Sequence, residues 1–166
     1  QRFGGDFRYE RMSWIKPNFL WMMFRSGWGQ KPNQEATLAV SIPRTLFEEI
    51  LIEAVPSSYT AALYESKSDW TQAMASSSVR LQWDPDHGPS GACLQRRAIQ
   101  LGLRGRMLER YARDEVIAIR DISDFVSEQY RRLQEQGSAH LETPREQIYL
   151  PTLPKASTQI GLDNIA

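Results

Sequence analysis

The chain has 166 residues, no net charge, 41% hydrophobic and 24% charged residues. A chain of that length builds one core and buries roughly two thirds of the surface exposed when unfolded. No apolar run reaches the roughly 18 residues of a membrane span, which leaves a soluble, folded protein.

The lone Cys93 excludes an internal disulfide, and with only His87 and His140 beside it there is no thiolate or histidine cluster for structural zinc, so a cytoplasmic, reducing setting is expected and no dedicated metal site. Nothing near Gln1 has the charged, apolar and cleavage regions of a signal peptide, and a first residue other than methionine suggests a lost upstream segment. The charge is unevenly spread. Residues 1–31 carry six Lys/Arg against two acids, and residues 96–113 carry six arginines against Glu109 alone. Between them, residues 46–86 carry seven acids against Lys67 and Arg80. Two basic blocks around an acidic one suggest a polarised surface that attracts an anion, the alternative being a solvated mosaic of surface charge.

In chain order, "QRFGGDFRYERMSW" alternates aromatic and charged residues around Gly4-Gly5 and reads as an extended edge. "KPNFLWMMFRSG" reads as a helix, with Pro17 in its first turn, Gly27 as its stop and apolar residues almost all the way round. "ATLAVSI" reads as a buried strand ended by Pro43, and Thr45 with Glu48 forms a capping box for the helix "LFEEILIEAV". Two short helices are expected at 60–66 and 69–76, the second capped by Ser68. "VRLQWD" alternates with period two, placing Val79, Leu81 and Trp83 on one face and Arg80, Gln82 and Asp84 on the other. "PDHGPSGA" reads as a loop, "RAIQLGL" as the next strand, 105–113 as a helix with Arg106, Arg110 and Arg113 outward, and "EVIAIRDI" as a fourth strand. Ser123 is expected to cap a last helix ending near Glu135. The pattern predicts an α/β or α+β domain over 1–136, with a mixed, largely antiparallel sheet flanked by helices, and a poorly structured tail over 137–166.

Three stretches carry candidate chemistry. In "RLQWDPDHGPSG" a strand's polar face ends in Gln82, Asp84, Asp86 and His87 before a glycine-rich loop, an arrangement suited to acid–base work or to carboxylates that hold a divalent cation beside a phosphate. The ordinary alternative is a turn whose aspartates bond their own backbone. In "RMSWIKPNFLWMMFRSGW", Arg11, Ser13, Lys16 and Arg25 flank Trp14 and Trp21, the pairing of cations and flat rings that stacks a base and holds its phosphate. A helix apolar on every side can equally be core. In "LQRRAIQLGLRG", Arg97 and Gln100 project from or beside a strand as candidate phosphate and substrate ligands. No phosphate loop, dinucleotide fingerprint, H-E-x-x-H or nucleophile elbow is present.

Those same three motifs, in this order, resemble the family called domain of unknown function 4291, from Gln1 to about Gln129. The resemblance implies an upstream segment supplying a first strand, and it brings no catalytic residues. The compact mixed sheet with polar strand ends is reminiscent of ADP-ribosyltransferase-like folds, an analogy of fold alone. The reading that follows is an enzyme acting on a nucleotide or nucleic acid. Arg11, Lys16, Arg25 and Arg97 bind phosphate, Trp14 and Trp21 form a stacking wall, Asp84, Asp86 and His87 supply the chemistry, and NAD is a candidate cosubstrate. The alternatives are a non-catalytic RNA- or nucleotide-binding module and a protein-interaction domain using the acidic block.

Overall fold

A computed structural model describes residues 1–162. The longest strands, β4 (Val79–His87) and β5 (Cys93–Leu103), form an antiparallel hairpin. β1 (Ser13–Ile15) pairs antiparallel with β5, and β3 (Ala54–Pro56) pairs parallel with β4, giving the sheet order β1-β5-β4-β3. β2 (Leu38–Ser41) and β6 (Ala118–Asp121) form a separate antiparallel ribbon, so the four strands expected from 36 to 122 divide between two sheets. The fold is α+β with a mixed sheet.

The period-two pattern sorts the main sheet's faces. Val79, Leu81, Leu101 and Leu103 point to one side and are buried by α2 (Arg44–Glu53), the helical turn Gly105–Glu109 and its wider continuation Arg110–Asp114. Leu46, Ile50, Leu51, Met107 and Leu108 complete this core. On the other face, α1 (Phe19–Ser26) lies against β4 and is backed by α5 (Ser123–Gln136). Phe19 and Met23 join Val126 in a second, smaller core. Gly27 ends α1 at a left-handed φ of 59°, its N–H donating to the Met23 and Phe24 carbonyls.

Several boundaries differ from the sequence pattern, each for a physical reason. Residues 60–66 form turns rather than a helix. α3 (Lys67–Ser76) is capped by Ser66, whose Oγ accepts from Asp69 N–H, not by Ser68. No capping box forms at Thr45, because Glu48 is used elsewhere: its carboxylate accepts from Tyr149 Oη at 2.6 Å, Thr152 N–H at 2.7 Å and Thr152 Oγ1 at 3.0 Å. Ser123 does not cap α5 either; its Oγ donates to Asp121 and accepts from Thr37 N–H. The segment after 136, expected as a poorly structured tail, is irregular from 142 to 153 but then forms α6 (Pro154–Gln159). Ala156 and Ile160 enter the main core, and Glu146 accepts from Phe19 N–H at the start of α1. Short, polar α6 carries too little periodicity to be seen in sequence; residues 163–166 of the expected tail lie outside the described residues.

Candidate functional site

Register decides which side chains share the polar face. Arg80 faces Gly102, Gln82 faces Gln100, and Asp84 faces Ala98 across the hairpin, while Trp14 sits opposite Gly102 on β1. All of these lie on the face away from the main core. Trp14 lies against Gly102: a Cβ there would fall 3.1 Å from the indole, so the absence of a side chain is what lets the ring approach the strand this closely. Ser13 faces Leu103 and shares the core side, so it does not contribute to the polar face.

At the middle of that face, Gln100 Nε2 donates to Gln82 Oε1 and to Asp84 Oδ2, both at 2.7 Å. This fixes the Asp84 carboxylate through one oxygen and leaves Oδ1 without a hydrogen-bond partner among the described residues. Lys16, just past β1, reaches the same place. Its ammonium donates to the Trp14 carbonyl at 3.5 Å and stands 5.8 Å from the centre of the Trp21 ring. Burial pushes the Lys16 amine below its ordinary value, the Arg25 charge pushes it the same way, and Asp84 partly opposes them. Lys16 thus feels a second cation, Arg25 of α1, and the Asp84 carboxylate of β4. Trp21, expected in a stacking wall, is only 4% exposed and serves as Lys16's support; Trp14, at 36%, remains open.

Asp86 and His87 lie elsewhere. β4 runs through His87 rather than ending at Asp84, with a bulge between Pro85 and His87. Asp86 is buried, with Oδ2 bound by Arg96 through Nε at 2.8 Å and Nη2 at 2.6 Å and Oδ1 accepting from the His87 N–H. His87 stacks on Phe24 of α1 at 3.7 Å between ring centres, with Nε2 3.5 Å from Cys93 Sγ. The expected trio is thus divided. Asp84 faces the cations, while Asp86 and His87 fasten the hairpin end to Arg96 and α1.

The remaining candidates divide as well. Arg97 lies on the opposite face of the sheet, its guanidinium 5.0 Å from the centre of the Trp83 ring. Arg11 lies exposed in the turn before β1. The Arg106, Arg110 and Arg113 stripe is largely neutralised: Arg110 binds Glu49 and Glu115, and Arg113 binds Glu109 and Asp114. Sequence reasoning missed the 57–60 segment, which lines a cavity of about 560 Å³ with Gln82, Trp83, Asp84 and Arg97. Its polar composition was a weak signal, because surface loops share it.

The described residues thus form an α+β domain whose sheet carries a polar face on which Gln82, Gln100 and Asp84 are hydrogen-bonded together. Residues 1–149 match the family described as Domain of unknown function (DUF4291), and the chain belongs to that family. Neither the curated proteins nor the solved structures compared with it gave a match. No helix among the described residues is long and apolar enough to cross a membrane.

Proposed function

We propose that the protein is a cytoplasmic enzyme acting on a nucleotide or nucleic acid at the sheet face around Asp84. One observation carries this reading: the Lys16 ammonium stands over the buried Trp21 ring on the sheet face where Gln100 holds Asp84 by one oxygen, and burial with the Arg25 charge disfavours the ammonium. A bound phosphate relieves that repulsion, and a cation pair next to a dry aromatic surface binds it more strongly than in open water. Trp14 offers an indole face to a base, and the Gln82–Gln100 pair holds Asp84 still.

The free Oδ1 of Asp84 is placed to accept a proton or a ribose hydroxyl. In the concrete version, ADP-ribosyl transfer from NAD, the bond between C1′ and the nicotinamide nitrogen breaks and its electron pair leaves with nicotinamide. An acceptor oxygen or nitrogen bonds C1′, and its proton passes to Asp84. The test is incubation with NAD and with ATP, followed by chromatography of the products. Nicotinamide or another cleavage product should form with wild type and fall at least tenfold with Asp84→Asn. Equal turnover in that variant removes Asp84 from the chemistry. Tight nucleotide binding without any product supports the non-catalytic binding module instead.

A further inference from the structure

β3 ends at Pro56, and the Ser57 N–H that follows donates to the Leu81 carbonyl at 2.9 Å as the last contact along that edge of β4. Backbone groups on a strand alternate sides, so the Trp83 N–H and C=O point the same way as those of Leu81, past the end of β3. Among the described residues they have no ladder partner there. Pro85, next in the alternation, has no N–H, so a ladder along this edge would lose its donor there. Where β3 stops, β4 offers a donor and an acceptor that no described residue takes up.

The cavity of about 560 Å³ opens at this edge. Both faces of β4 reach it: Gln82 and Asp84 come from the polar face, Trp83 and its stacked Arg97 from the other. Its far wall is the hydroxyl-bearing run Ser57, Ser58 and Thr60. Arg97 has no carboxylate partner among the described residues, so its charge is held on an indole and left available. Hydroxyls, an amide and a carboxylate around a pocket match the hydroxyls of a ribose, and a free guanidinium matches a phosphate. The volume lies within the range of about 300–1,000 Å³ usual for small-molecule sites.

Asp84 is common to this cavity and to the Lys16–Arg25 face. We propose that the cavity is a second subsite, taking a ribosyl phosphate half of the same ligand, so that the substrate is a dinucleotide laid over the open edge of β4 with Asp84 at its middle. Lys16 and Arg25 hold one half and Arg97 with the 57–60 hydroxyls holds the other. A mononucleotide fills only one of the two cationic stations.

This inference rests on the nucleotide reading of the polar face, and calorimetry of the full chain with NAD and with its fragment AMP separates the two. NAD should bind at least tenfold more tightly than AMP, and Arg97→Ala, a surface change that leaves Trp83 in place, should remove that advantage. Lys16→Met should weaken NAD without restoring a difference between the variants at the Arg97 station. NAD affinity within twofold of wild type in Arg97→Ala, or NAD no tighter than AMP, overturns the second subsite; if Lys16→Met still weakens binding, the reading of the polar face survives. Failure of both nucleotides to bind overturns both.

Discussion

Gly102 is where packing and the proposed site meet, and Gly102→Ala tests that connection. A methyl added there falls 2.7 Å from Met12 Sδ and 3.1 Å from two atoms of the Trp14 ring. The Met12 thioether is the end of a flexible chain and can swing aside. The indole is rigid, so the ring must move away from the strand. Alanine in a strand regains about 0.5–1 kcal/mol over glycine, while overpacking costs about 1–3 kcal/mol. The net loss is about 1 kcal/mol, or about 2–4 °C in Tm for a chain of this size. Gly88→Ala is the control, since its added methyl makes only ordinary contact, 3.6 Å from Leu94 Cδ2. Thermal unfolding with tryptophan fluorescence should show Gly102→Ala less stable and shifted in emission, with Gly88→Ala near wild type. A Gly102→Ala protein as stable as wild type with an unchanged spectrum refutes the placement of Trp14.

Glu48 binds Tyr149, Thr152 and Leu153, and those hydrogen bonds, Tyr149 first, hold its carboxyl below the ordinary value. A depressed folded value means the stabilisation is present above the unfolded value and is lost as pH falls through the folded one. Calorimetry from pH 7 downward should therefore show a steeper fall in Tm for wild type than for Glu48→Gln; parallel curves would refute the clamp. Lys16 has the reverse sign, because its lowered value means the fold penalises the charged amine at neutral pH and recovers as pH rises past the folded value. Lys16→Met should unfold at the wild-type temperature or a few degrees, about 1–4 °C, above it; a lower Tm would show that the ammonium is stabilising. Removing Arg96 leaves the Asp86 carboxylate buried without its partner, so Arg96→Ala should lose about 2 kcal/mol in urea unfolding, discounted from a fully buried pair because Arg96 is half exposed. A change below about 0.5 kcal/mol, the scale of an ordinary surface substitution, would refute the role given to this pair.

Much of the sheet was legible because alternation survives in the sequence. "VRLQWD" and "RAIQLGL" put Val79, Leu81, Leu101 and Leu103 inward and Gln82, Asp84 and Gln100 outward, as the register has them. The helix "FLWMMFRS" was legible too, although its apolar surround concealed that one side meets α5 and another supports Lys16. Long-range partners were not legible. Glu48 satisfied a local capping pattern, yet residues about a hundred positions later bind it. Asp86 and His87 looked like loop chemistry, and only the hairpin register and Arg96 show them as buried fasteners. The open edge beyond Pro56 is a matter of where a strand stops, which no residue pattern marks.

The central claim is that the Lys16–Arg25–Asp84 face holds a nucleotide. Thermal stabilisation against NAD, nucleoside triphosphates and short RNA, with and without magnesium, tests it most directly when wild type and Arg25→Ala are run side by side. Arg25 is exposed, so its removal leaves the fold intact. The account predicts that a nucleotide ligand raises the wild-type Tm and that Arg25→Ala loses most of the rise. No rise with any ligand, or the same rise in both proteins, would contradict it.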